Sequence, residues 1–230
     1  QDMKQKLLDA IVIEPRSSAH GSLILLHGLG ANGHDFEPLI PELDIVDRLG
    51  VRVILPHAPH RPVTINAGMR MPAWYDITAA SMTEDEDSIG IRESGEALVA
   101  LIERELETGL PAERIVLAGF SQGGAIALHA GMRFPQQLAG IMVLSAYLPL
   151  ATKLPEEAHP ANQATPIMMA HGTADPIVPL ALASDSCSRL KGMGYKIEWR
   201  EYAMMHSVCA EEVEDIRNWL HAQLTPDRQV

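Results

Sequence analysis

Basic residues are scarce in this chain: 18 Lys and Arg stand against 30 Asp and Glu, for a formal net charge of −12. So acidic a protein repels phosphate backbones and anionic lipid surfaces, which argues against nucleic-acid binding. Cysteine is nearly missing. Cys187 and Cys209 are the only two, and in an acidic, helix-rich chain they are expected to be reduced rather than bridged. No C-x-x-C, no H-E-x-x-H and no cluster of ligating side chains occurs, so no metal and no other cofactor is expected. No apolar run reaches the roughly 20 residues that span a bilayer. The longest candidate, around residues 140–151, is broken by Ser145, Tyr147 and Pro149, so integral membrane contact is not expected. The first residues, Gln1-Asp2-Met3-Lys4, carry none of the apolar core of a signal peptide, and a cytoplasmic location is expected.

What is present suits a sizeable core. Of the 230 residues, 47% are hydrophobic, enough for one α/β domain over residues 1–230. Apolar runs at residues 22–26, 51–55, 114–118, 140–144 and 166–170 read as strands covered on both faces. Residues 8–13 make a first strand, and residues 195–202 alternate as an edge strand would. Helical spacing fills residues 88–107, 180–193 and 209–224. This alternation predicts an α/β fold with a mostly parallel central sheet and helices on both faces. Residues 145–165 are too few for a helical cap domain, so an open site is expected. One segment breaks the rhythm. Residues 56–80 hold Pro56, Pro59, Pro62 and Pro72 and read as a long irregular loop, the kind that is usually functional. Aromatic residues are only 4% of the chain, yet Trp74 and Tyr75 sit side by side here. They read as the wall of a substrate pocket, or as a loop pinned to the core by one large ring.

The most informative stretch is Gly119-Phe120-Ser121-Gln122-Gly123, a G-x-S-x-G placed between a strand-like and a helix-like run. A sharp strand-to-helix turn lifts a serine hydroxyl out of the sheet, and its flanks must be small. The plainer reading is a tight glycine turn with an incidental serine. A serine hydroxyl needs a base, and the base needs an orienting carboxylate. In the α/β-hydrolase order, serine, acid, histidine, Asp175 follows a predicted strand and His206 follows a later one. The plainer reading of Asp175 is a helix cap, which its position also allows. His129, His159 and His221 fit the base role less well, and His171 is expected to prop the Asp175 loop. The oxyanion of an acyl-transfer intermediate needs two backbone N–H donors. Gln122, just after the serine, and Leu29, in His27-Gly28-Leu29-Gly30, are the candidates.

These blocks, with Met71-Pro72-Ala73-Trp74-Tyr75-Asp76 and His171-Gly172-Thr173-Ala174-Asp175-Pro176-Ile177-Val178-Pro179, resemble the phospholipase/carboxylesterase family. The resemblance runs from about Ile24 to the last helix. It implies hydrolysis of esters or thioesters by Ser121, Asp175 and His206, with Leu29 and Gln122 at the oxyanion hole and Trp74 near the acyl site. It also allows a homodimer. One departure stands out, because Met205 occupies the position before the histidine where family members usually carry glycine. Met205 is therefore taken as a pocket residue that reshapes the turn, and Met69, Met71, Met204 and Met205 as an adaptable apolar lining. The expected activity is that of a carboxylesterase on small to medium acyl esters. A thioesterase or lysophospholipase acting on longer acyl chains is the alternative, and a silent binding module on the same fold is a third reading.

Overall fold

Strand β2, Gly21–Leu26, is buried at every position. Its alternating side chains feed two different layers, as the two-residue period of a strand requires. Ile24 and Leu26 enter one core with Ile115 and Leu117. Leu23 and Leu25 enter another with Val116 and Ala118. Each such buried aliphatic side chain contributes about 1.5–3 kcal/mol, so a strand apolar on both faces can only sit inside a sheet covered on both sides. A computed structural model describes residues 6–79 and 81–226 of the chain. The readings made on Gln1 to Lys4, and on Ala80 at the end of the irregular segment, lie outside the described residues.

The central sheet runs in the order β1-β3-β2-β6-β7-β8-β9. Its strands are β1 (Ala10–Ile13), β2, β3 (Val51–Pro56), β6 (Ile115–Phe120), β7 (Gly140–Leu144), β8 (Ile167–Gly172) and β9 (Ile197–Tyr202). β1 pairs antiparallel with β3, and every other neighbour pair is parallel. β9 lies at the edge, as its alternation predicts. Helices α3 (Ser88–Glu107) and α4 (Gln122–Arg133) cover one face. The short helices α1 (Ile40–Leu43) and α2 (Val46–Leu49) cover the other together with α7 (Ala210–Leu224). Helix α6 (Leu180–Gly192) joins α4 over β7 and β8 through Cys187, Leu190, Leu128, Val143 and Met169. Between β7 and β8 the one α-helix is the single turn α5 (Leu154–Glu157), so no cap domain exists among the described residues.

The irregular loop expected over residues 56–80 is irregular at residues 57–59 and 73–79 but has an ordered middle. It forms a two-stranded antiparallel ribbon, β4 (His60–Val63) with β5 (Met69–Pro72), closed by a short 3-10 turn, Thr64–Asn66. A two-stranded ribbon has a free edge on each strand, so Pro62 and Pro72 sit there without breaking a ladder. Pro72 accepts a hydrogen bond from the N–H of Gly30 at 2.8 Å, which ties the ribbon to the glycine loop after β2.

Candidate active site

The carboxyl ends of β6, β8 and β9 deliver the three polar residues. Ser121 follows β6 directly and opens α4, with φ 57° and ψ −124°. A non-glycine residue in that conformation costs on the order of 1–3 kcal/mol and persists only where its surroundings force it. Here they do. The serine N–H donates to the Leu144 carbonyl at 2.8 Å, and its own carbonyl accepts from Ala125 at 3.1 Å. A Cβ on Gly119 would lie 2.1 Å from the Gly123 backbone, and one on Gly123 would lie 2.3 Å from the Leu26 carbonyl. The turn closes only because both positions lack side chains.

His206 meets Ser121 and Asp175 at once. Its Nε2 lies 3.1 Å from Ser121 Oγ and its Nδ1 lies 2.7 Å from Asp175 Oδ2. The Phe120 ring packs on the imidazole, centroid to centroid 4.8 Å. The other oxygen of Asp175 accepts from the N–H groups of Ile177 and Val178 at 2.8 and 2.9 Å. The capping expectation for Asp175 thus describes half of its bonding, although the residue before α6 is Pro179. His171 props this loop, as expected: its Nε2 donates to the Val178 carbonyl at 2.7 Å. Burial holds its pKa below the ordinary histidine value, so it stays a neutral donor.

Leu29 and Gln122 both line the cleft beside Ser121. Gln122 is the first residue of α4, where an N–H has no acceptor within the helix. A residue the sequence reading left without a role holds the peptide that precedes Leu29. His27 Nε2 accepts the N–H of Ala58 at 2.9 Å. Its proton therefore sits on Nδ1, which donates to the Gly28 carbonyl at 2.7 Å. Burial lowers the His27 pKa, which keeps that tautomer neutral. In a trans peptide the carbonyl and the next N–H point in opposite directions, so holding the Gly28 carbonyl aims the N–H of Leu29.

The cleft around Ser121 measures about 350 Å³ and is mostly apolar, with Tyr75, Ile77, Met82, Phe120, Tyr147 and Ile177 in its walls. Five expected lining residues are absent. Trp74 is 1% exposed and faces the interior, where its indole N–H donates to the His27 carbonyl at 2.8 Å. Its neighbour Tyr75 is the one that lines the cleft. Met205 is 58% exposed and lies outside the lining, as do Met69, Met71 and Met204. The departure from glycine before His206 is absorbed elsewhere. The Met205 backbone keeps a negative φ, and room for the turn comes from Gly172, where a Cβ would lie 2.4 Å from the carbonyls of both Met204 and Met205. A larger hollow of about 670 Å³ lies between α3 and α4, lined by Arg92, His129 and Arg133 among others. It shares no lining residue with the Ser121 cleft and holds no serine, so chemistry rather than size marks the site.

The sequence profile of the phospholipase/carboxylesterase family matches residues 8–224. The chain belongs to this family. It is similar to acyl-protein thioesterase 1 of Gibberella zeae, with 40% identity over 94% of this chain and 97% of that one. It is similar also to acyl-protein thioesterase 1 of Neurospora crassa, with 41% identity over 93% and 91%. Among solved structures, Arabidopsis thaliana SOBER1 superposes with a TM-score of 0.84 at 29% identity, over 90% of this chain and 100% of that one. As a member of the phospholipase/carboxylesterase family with these relatives, the chain is an α/β-hydrolase that acts on esters or thioesters. No described helix is long and apolar enough to cross a membrane, and no described group of His, Cys, Asp or Glu could hold a metal ion.

Proposed function

We propose that this protein is an acyl thioesterase that removes acyl chains from protein thiols, with Ser121 as nucleophile, His206 as general base and acid, and Asp175 as the orienting carboxylate. The observation that carries the reading is near-full-length identity of about 40% to acyl-protein thioesterases, joined to the hydrogen-bonded line Ser121–His206–Asp175. It reverses the order expected from sequence, where small esters came first and thioesters second. The largely apolar cleft beside Ser121 supports it, since an acyl chain needs an apolar surface to lie against.

In this mechanism Ser121 Oγ attacks the acyl carbonyl while His206 Nε2 takes its proton. Asp175 holds the Nδ1–H and stabilises the imidazolium. The N–H groups of Leu29 and Gln122 receive the oxyanion. His206 returns the proton to the departing sulfur, and water repeats the sequence on the acyl-enzyme. Oxygen esters pass through the same steps, so substrate preference rests on the leaving group and the cleft. Turnover of acetyl to palmitoyl groups, each as ester and as peptide thioester, tests the reading. Thioesters of medium and long chains are expected to give the higher kcat/KM; a preference for acetyl oxygen esters would return the assignment to a small-ester carboxylesterase. Ser121→Ala is expected to lower kcat by about 10⁴-fold or more with the fold intact. A folded variant with ordinary turnover would remove Ser121 from the mechanism, and failure of the native chain to react with a fluorophosphonate would favour a silent binding module.

A further inference from the structure

The dipeptide Trp74-Tyr75 bridges the two sides of the oxyanion site. The indole N–H of Trp74 donates to the His27 carbonyl at 2.8 Å, beside the Gly28–Leu29 peptide. The main chain of the same dipeptide is gripped by the side chain of Gln122: the N–H of Trp74 donates to Oε1 at 2.9 Å, and Nε2 donates to the Tyr75 carbonyl at 2.8 Å. The Trp74 carbonyl accepts from the Ser94 hydroxyl on α3. Farther out, the hydroxyl of Tyr75 lies 2.8 Å from that of Tyr147 across the cleft wall. Gln122, Trp74 and Tyr75 are all buried, so these bonds are shielded from competing water.

We propose that the side-chain amide of Gln122 is a positioning residue. It latches the Trp74-Tyr75 strap across both oxyanion donors, so that the acyl-cleft wall and the oxyanion hole are set together. The proposal rests on the hydrolase reading above. An amide suits this latch because it offers an acceptor and a donor in one plane, matching the N–H of one residue and the carbonyl of the next. A carboxylate accepts but cannot donate, and a thioether does neither well; either leaves a buried backbone group unpaired. The N–H of Gln122 belongs to the same residue as the latch. An acyl chain long enough to press on Tyr75 is therefore felt at the oxyanion donor, and an acetyl group is not.

The test measures kcat and KM for acetyl and octanoyl thioesters of one thiol, in the native chain, Gln122→Glu and Gln122→Met. The octanoyl to acetyl ratio of kcat/KM is expected to fall at least tenfold in both variants, with octanoyl kcat reduced and its KM raised. Equal losses for the two chain lengths are what a merely structural residue would give, and they would overturn the proposal. Should both variants fail to fold by circular dichroism, Ser94→Ala loosens the same strap from α3. That change is expected to lower the ratio at least threefold, and an unchanged ratio in folded Ser94→Ala would overturn the latch. Failure of the hydrolase reading looks different: a native chain that turns over neither thioester and leaves Ser121 unlabelled would overturn both.

Discussion

The serine turn and the histidine loop are neighbours in one hydrogen-bonded line, yet they are held by opposite means. At the serine turn the backbone of α4 presses on the ends of β2 and β6, and glycine at 119 and 123 is the only residue the space admits. Ser121 takes φ 57° because its own neighbours leave nothing else. Around His206 the loop carries an exposed Met205 in an ordinary conformation. Its position is set from outside, by the Asp175 loop. The N–H groups of Thr173 and Ala174 donate to the carbonyls of Tyr202 and Met204 at 2.9 and 3.1 Å, and Gly172 gives way beneath. A site residue can thus be fixed by exclusion within its own turn or by the smallness of a neighbour, and only the second arrangement tolerates a change of side chain in place.

The hardest blow to that contrast falls on the first turn. Gly123→Ala puts a Cβ 2.3 Å from the Leu26 carbonyl and 2.5 Å from that of His27, both backbone atoms at the carboxyl end of β2. Neither can yield without moving β2. The expected result is loss of soluble folded protein, or a melting temperature lower by more than about 10 °C with no measurable turnover. A folded, active Gly123→Ala enzyme would show that the turn is looser than its contacts say. Gly172→Ala is the matching blow to the other side. The new Cβ meets the Met204 and Met205 carbonyls at 2.4 Å, but these belong to a surface loop that can lift. We expect a folded protein whose kcat is down about 10²-fold, since His206 rides on the displaced loop and small misplacements cost that much.

This difference explains what could be read from the residues alone. The serine turn was legible because its requirements are local: small residues at fixed offsets, a strand before and a helix after. Asp175 and His206 were legible through their order and their positions after strands. Trp74 and Tyr75 were not. Neighbouring residues face opposite ways in extended chain, and the main chain of this pair is bonded by Gln122, 47 residues beyond Tyr75, a partner no local pattern reveals. The ribbon at residues 60–72 was hidden because its prolines, which exclude a central strand, are harmless in a two-stranded one. The role of His27 was hidden because its partners are backbone groups, Gly28 and Ala58, and backbone leaves no mark on a pattern of side chains.

The histidine side also carries a buried carboxyl that titrates with folding. Glu212, in the first turn of α7 just beyond the histidine loop, is fully buried. Burial pushes its carboxyl up to about 7, against a smaller opposing pull from the Cys209 backbone. The folded state therefore holds a proton that the unfolded chain releases near 4.5. Stability from this group is intact below that value, declines as pH rises toward 7 and stays reduced above it. Glu212→Gln removes the titration. It is expected to raise stability at pH 8 by up to about 3 kcal/mol and to change little at pH 4.5, as read by thermal melts across that range. A Glu212→Gln gain of the same size at both ends would mean the effect is packing rather than charge.

The gentlest change separates the two regions most sharply. Met205→Gly places before the histidine the glycine that the family resemblance leads one to expect. If the serine-turn rule held here, glycine would relieve a clash and activity would rise. The structure gives no clash to relieve: Met205 is mostly in solvent and its φ is one any residue adopts. Glycine would instead add freedom to the unfolded chain and to the loop itself, at a cost of about 0.5–1 kcal/mol. We expect kcat/KM within about threefold of the native value and a melting temperature lower by a few degrees, measured by steady-state kinetics and thermal denaturation. A tenfold gain in kcat would place the Met205 side chain in the way of His206 and would make the two turns alike after all. The smaller result leaves glycine obligatory where backbone meets backbone, and optional where a neighbouring glycine already supplies the room.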